Sequence, residues 1–124
     1  MIKGIGLDIV EIARVAKALD RTPGFADRIL TPAECVLFRE SKQPERFLAK
    51  RFAAKEAIVK ALGTGIAMGV SWQHLEIIKE PSGRPTVSLS SVAHQVASDI
   101  GIRHWFLSYS DEQTFVVAQA IAEG

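Results

Sequence analysis

Polar and apolar positions along the chain change period several times, and each change marks an element. Residues 2–10 alternate, with Ile5, Leu7 and Ile9 on one side and Gly4, Gly6, Asp8 and Val10 on the other. That period of two predicts a strand, with Asp8 beside two positions that carry no side chain. From residue 11 the period lengthens: Ile12, Val15, Ala16 and Leu19 form one stripe, while Arg14, Lys17 and Arg21 project from the opposite side. This predicts an amphipathic helix with a basic outer face. Thr22, Pro23 and Gly24 interrupt it, and residues 25–30 predict a further helical turn or two. Thr31, Pro32 and Glu34 then supply a hydroxyl N-cap, a proline at the first helical position and an acid three residues after the cap, starting a helix that runs to about Ser41. Pro44 opens the longest helical pattern, in which Phe47, Ala54, Ala57, Ile58, Ala61 and Leu62 fall near one face and Gly63 is the C-terminal cap.

Gly63, Thr64, Gly65 and Gly69 mark a loop, followed by strand patterns at 74–79 and 86–90 joined through Pro81, Ser82, Gly83, Arg84 and Pro85. Ser90 or Ser91 caps a helix with apolar Val92, Ala93, Val96, Ala97 and Ile100, closed by Gly101. Two last strands, 103–110 and 114–122, form a hairpin. The order of strand, helices, two strands, helix and two strands predicts an α+β fold: a mainly antiparallel sheet packed against a long helix, in a single domain over residues 1–124.

Composition narrows the class. A chain of 124 residues, 48% hydrophobic and 23% charged, is a folded globular domain and not a disordered or collagen-like one. Fifteen Lys and Arg against fourteen Asp and Glu give a net charge of +1, which supplies no global field for nonspecific nucleic-acid binding. The single cysteine, Cys35, has no partner for an internal disulfide and is read as a buried structural thiol. With no signal-peptide pattern at the N-terminus and no long apolar run, the expectation is a soluble, cytoplasmic protein.

Two acids stand out. Asp8 lies inside an apolar run, where an unpaired charge is costly, so it faces water or has a cationic partner. Glu56 lies on the long helix, either as one half of an ordinary Glu-to-Lys pair with Lys60 or as part of a site. Lys50, Arg51, Lys55 and Lys60 cluster around it and precede the Gly63–Thr64–Gly65 loop. Lysines and glycine amides approach phosphate oxygens, and one or two carboxylates hold a hard cation such as Mg²⁺ whose other ligands are waters and phosphates. A phosphate ligand is physically reasonable, although this is not a Walker A sequence. His74, His94 and His104 lack metal-ligand spacing, and Ser108 and Ser110 lack a nucleophile elbow. Trp72, Trp105, Phe106 and Phe115 read as core or interface packing.

Taken together, Gly6, Asp8 and Arg14 in GIGLDIVEIAR, then residues 52–61 in FAAKEAIVKA followed by GTG, resemble the holo-[acyl-carrier-protein] synthases, the short bacterial-type 4′-phosphopantetheinyl transferases. The resemblance spans essentially the whole chain. It implies transfer of the phosphopantetheine group of coenzyme A to a serine of apo acyl carrier protein for fatty-acid synthesis, releasing adenosine 3′,5′-bisphosphate. Asp8 and Glu56 match the family's acids for Mg²⁺. Glu56 is the candidate general base, directly or through a water on the metal, and Lys60 stabilises charge on the pyrophosphate. By the same resemblance Gly63, Thr64, Gly65, Gly83, Arg84, Pro85 and, more weakly, Arg51 line the coenzyme A site. The family's short members are homotrimers with active sites between subunits. Acyl carrier proteins are acidic, so Arg14, Lys17 and Arg21, continued by Arg28, form the expected docking face. One departure is present: many relatives carry a Ser-His motif where this chain has Ser108, Tyr109 and Ser110. The alternatives are a non-catalytic coenzyme A or nucleotide-binding module, distinguished by magnesium-dependent turnover, and a small nucleic-acid-binding protein.

Overall fold

In the computed structural model, which describes residues 1–124, the chain runs β1 (Ile2–Glu11), α1 (Ile12–Arg21), α2 (Phe25–Ile29), α3 (Pro32–Glu40), α4 (Pro44–Leu62), a 3₁₀ turn (Trp72–His74), β2 (Leu75–Lys79), β3 (Pro85–Leu89), α5 (Ser91–Asp99), β4 (His104–Asp111) and β5 (Phe115–Glu123). The expected elements are all present, displaced by a residue or so at their ends. The helix starts follow local chemistry. Thr31 and Glu34 form a reciprocal capping box, and Gly63 takes a left-handed φ of 83° to end α4. Ser90 occupies the N-cap position of α5, yet its side chain makes no cap bond and its hydroxyl instead approaches the His74 carbonyl.

The strands form two sheets: an antiparallel β1-β5-β4 sheet and a separate β2-β3 hairpin. Helix α4 lies between the three-stranded sheet and the layer built from α3 and β2, and this sandwiching buries it almost all round, well beyond the predicted stripe. Its small residues permit an unusually close approach to β1. A methyl group placed on Gly6 would lie 1.7 Å from the Ala57 carbonyl oxygen, and one on Gly4 would lie 2.0 Å from that of Ala61. Across the sheet Ala118, Ala120 and Ala122 are fully buried and continue this thin surface.

Alternation alone leaves open which side of β1 is buried. The structure turns the glycine side toward α4, and Ile5, Leu7 and Ile9 remain 59%, 58% and 63% exposed on the outer face. Phe106 and Val117 are exposed as well, whereas Trp72 packs on Phe52 with ring centroids 5.2 Å apart. Cys35 is buried, and burial first, then its hydrogen bond to Asp27, pushes the thiol above its ordinary range, as suits an inert structural cysteine. No helix is long and apolar enough to cross a membrane.

Candidate active site

The close β1–α4 contact is what assembles the acids. Asp8 lies two positions beyond Gly6 on the same face, opposite the small Ala118, while Glu56 immediately precedes Ala57, the residue against which Gly6 rests. Lys60 Nζ donates to Asp8 Oδ1 at 3.0 Å and to the Leu7 carbonyl at 3.0 Å. It therefore does not close the simple helical pair with Glu56 that the spacing allows, but crosses to the strand. Burial, and then the negative charge of Asp8, raises the Glu56 carboxyl above its usual range, with Lys60 pulling it back.

Asp8, Glu11, Arg14 and Glu56 give the polar wall of a cleft of about 310 Å³, and Phe25 and Phe52 contribute to its apolar side. Arg14 thus faces the acids as well as the outer surface of α1. Glu11 is a third acid on the cleft that sequence reasoning did not select. No group of three or more His, Cys, Asp and Glu side chains converges as a metal cage anywhere in the chain. Two hard carboxylate donors whose charges repel each other nevertheless fit Mg²⁺, which is commonly held by one or two carboxylates with substrate phosphates and water completing its shell.

Other predicted residues lie elsewhere. The basic cluster on the long helix is dispersed, because residues 51 and 55 share one side of it while 50 and 60 leave in other directions. Lys50, with Arg46, holds Asp111 at 3.2 and 2.7 Å. Burial works to raise the Asp111 carboxyl, but the hydrogen bonds from Arg46 and Lys50 prevail and hold it below its usual range. Arg51 and Lys55 are buried and pair with Glu34 at 3.1 and 2.6 Å, and Lys55 is fully enclosed. Arg51 nevertheless borders a hollow shared with Lys79 and Tyr109, its guanidinium held by Glu34 and the Ile77 carbonyl. Burial pushes the Lys55 ammonium below its ordinary range, and Glu34 draws it part of the way back.

The Gly63, Thr64 and Gly65 amides are engaged within the chain. All three donate to the Val59 carbonyl oxygen, at 3.1, 3.3 and 3.2 Å, and so cap α4 instead of pointing outward to phosphate. The loop does follow directly on Lys60. Gly83, Arg84 and Pro85 form the turn of the β2–β3 hairpin, where Arg84 pairs with Glu80 at 3.2 Å, and none of them lines the Asp8–Glu56 cleft within one protomer. Lys17 and Arg21 are exposed on α1 and make no ion pair, while Arg28 borders a different hollow beside Cys35 and Gln73. A further hollow of about 300 Å³ gathers Lys42, Arg46, Lys50 and Lys79 with Tyr109. These cations come from separated stretches of chain with no common spacing, which hides them from sequence reasoning. Tyr109 belongs to this hollow and not to the acid cleft.

Two acids and a lysine gathered on a strand and a helix, with an open cleft beside them, define a small α+β protein equipped for phosphoryl-group chemistry. Residues 4–120 match the family model described as the 4′-phosphopantetheinyl transferase superfamily, and the chain belongs to that family. Its sequence is 50% identical over 123 residues to the holo-[acyl-carrier-protein] synthase of Vibrio campbellii, covering 98% of both chains. The fold is similar to the crystal structure of the holo-[acyl-carrier-protein] synthase of Neisseria meningitidis, with a TM-score of 0.93, 41% identity and full coverage of both chains. It is similar also to the Bacillus anthracis synthase in complex with CoA (3′,5′-ADP), with a TM-score of 0.85 and 38% identity over 100% of this chain and 98% of that one.

Proposed function

We infer that this protein is a holo-[acyl-carrier-protein] synthase: it transfers the 4′-phosphopantetheine group of coenzyme A to a serine hydroxyl of apo acyl carrier protein. The observation that carries this reading is the meeting of Asp8, Glu56 and Lys60 across the β1–α4 contact, from two motifs far apart in sequence. In the reaction the serine oxygen forms a bond to the pantetheine-bearing phosphorus, the pyrophosphate P–O bond breaks, and adenosine 3′,5′-bisphosphate leaves. Glu56, as a carboxylate, takes the serine proton; Lys60, half exposed and 3.0 Å from Asp8, offsets charge developing on the pyrophosphate. Asp8 and Glu56 would hold Mg²⁺, which supplies charge neutralisation at the phosphates when bound. The apolar side formed by Phe25 and Phe52 suits the pantetheine arm.

Arg14, Lys17 and Arg21 present an unpaired basic face on the helix that borders the cleft, an arrangement that favours an acidic carrier protein. The exposed apolar stripe of Ile5, Leu7 and Ile9, on the strand that bears Asp8, supports assembly into a homotrimer with sites between subunits. Such an arrangement gives the Gly83–Arg84–Pro85 turn and the Gly63–Thr64–Gly65 loop a common coenzyme A from different protomers. Intact mass spectrometry of an apo carrier incubated with this protein, coenzyme A and Mg²⁺ tests the reading. One phosphopantetheine is gained, and the gain is absent with Asp8→Ala, Glu56→Ala or EDTA; no gain with several carriers refutes it.

A further inference from the structure

The charges most shielded from solvent lie behind the acid cleft, not in it. Glu34 is 1% exposed, Lys55 0% and Arg51 4%. Glu34 Oε1 accepts from Lys55 Nζ at 2.6 Å and from the Thr31 N–H at 2.9 Å, while Oε2 accepts from Arg51 Nη1 at 3.1 Å and from the Ile77 N–H at 3.0 Å. Arg51 also donates to the Ile77 carbonyl, and Lys55 donates to the carbonyls of Ile29 and Trp72 at 2.7 and 3.3 Å. No buried polar side-chain atom lacks a partner. One carboxylate thus joins α3, α4 and β2, and through Lys55 the end of α2 and the 3₁₀ turn.

Geometry gives this network a second meaning. The Glu34–Arg51 pair meets both backbone groups of Ile77, taking the place of a neighbouring strand and fastening β2 to α4. Arg51 and Lys55 stand four residues apart on α4, and Lys55 immediately precedes Glu56. Apolar burial is non-directional and does not choose a rotation of α4 about its axis; a fully occupied charge-assisted network does. The helix is therefore located on one side by Gly4 and Gly6 and on the other by Glu34.

We propose that Glu34, Arg51 and Lys55 are positioning residues for the transfer reaction: their network fixes the rotation of α4, and with it the placement of Glu56 and Lys60 against Asp8. This rests on the reading of Asp8, Glu56 and Lys60 as the reacting site. Replacing a complete buried charge network by apolar residues of similar volume is often neutral or stabilising, so loss of geometry is separable from loss of fold.

The test is the triple variant Glu34→Leu, Arg51→Met, Lys55→Met, which leaves no charge of the network unpaired. Thermal melting is expected to show a folded protein, with kcat lowered about tenfold or more and KM for the carrier unchanged, because the α1 face is untouched. Binding of Mn²⁺, followed by electron paramagnetic resonance, is expected to weaken about tenfold through the displaced Glu56. A folded triple variant with wild-type kcat and wild-type Mn²⁺ affinity overturns the proposal. Should the triple variant not fold, Arg51→Lys keeps the charge but loses the planar guanidinium whose Nη1 reaches both Glu34 and the Ile77 carbonyl; a severalfold fall in kcat in that folded enzyme supports the proposal and an unchanged kcat overturns it. If the wild type transfers no phosphopantetheine, the functional reading has failed by itself, and the Mn²⁺ affinities of wild type and variants still decide the role of the network.

Discussion

Gly6→Ala probes the contact from which the site is built. The added methyl would stand 1.7 Å from the Ala57 carbonyl oxygen and 2.7 Å from its carbon, against 3.4 Å for the onset of ordinary contact, so β1 and α4 must part locally by about 1.7 Å. Overpacking a tight core costs typically ~1–3 kcal/mol, and because the colliding atoms belong to backbone on both sides, the cost falls at the top of that range, about 3 kcal/mol. For a domain of this size that lowers Tm by roughly 10 °C. Displacement of about 1 Å in a reacting group costs on the order of 100-fold in rate, and here it falls between Asp8 and its partners on α4. Urea unfolding and carrier-modification kinetics, measured well below the lowered Tm, separate the two effects. Gly4→Ala is the comparison: its methyl meets the Ala61 carbonyl oxygen at 2.0 Å, farther along β1 from Asp8, so a similar loss of stability with a smaller loss of kcat is expected. Wild-type Tm and wild-type kcat for Gly6→Ala would refute the argument that this approach sets the site.

Because burial and Asp8 raise the Glu56 carboxyl, the folded protein binds more protons than the unfolded chain between the ordinary value of 4.5 and the raised one; through this group, stability rises as pH falls across that window, which pH-dependent urea titrations measure. In the metal-free protein the Glu56 carboxyl followed by NMR moves downward in Asp8→Asn, where the repelling charge is gone. Glu56→Gln lowers turnover about 10³-fold or more while leaving Tm at or above the wild-type value in a thermal melt, since a neutral amide replaces a partly desolvated carboxylate. Lys17→Glu with Arg21→Glu lowers kcat/KM for the carrier about tenfold at low salt, with kcat kept and the difference shrinking as salt is added, as stopped-flow association rates will show. Leu7→Lys, which charges the exposed face of β1, converts the proposed trimer to monomer by sedimentation velocity.

What was legible in the sequence follows the range of the forces involved. Helix α3 announces itself through Thr31, Pro32 and Glu34 because a capping box is closed within four residues. Asp8 and Glu56 stand out because an acid in an apolar run and an acid amid lysines are both local anomalies. The division into two sheets and the burial of α4 on both sides depend on contacts between distant segments, and no period reports them. The cations of α4 make the point most sharply. Lys50, Arg51, Lys55 and Lys60 look alike as a cluster, yet their partners are Asp111, Glu34, Glu34 and Asp8, chosen by where each side chain leaves a helix that is covered on nearly every side. Glu34 was visible as a capping acid, and its second task was not, because the residues it serves lie 17 and 21 positions away.

The exposed stripe on β1 has the same origin as the site. Bringing Asp8 within reach of Lys60 and Glu56 requires strand and helix to touch backbone to side-chain-free backbone, which only glycine allows at positions 4 and 6. A strand whose inner face is emptied in this way contributes little apolar area to the core, and its large side chains, Ile5, Leu7 and Ile9, stand on the other face by the pleat alone. That apolar face is the one on which the proposed trimer would form. Catalytic geometry and the proposed self-association thus trace to one constraint on β1. A substitution that refills the inner face is expected to harm both, whereas a charge on the outer face is expected to reach the chemistry only through loss of the proposed assembly.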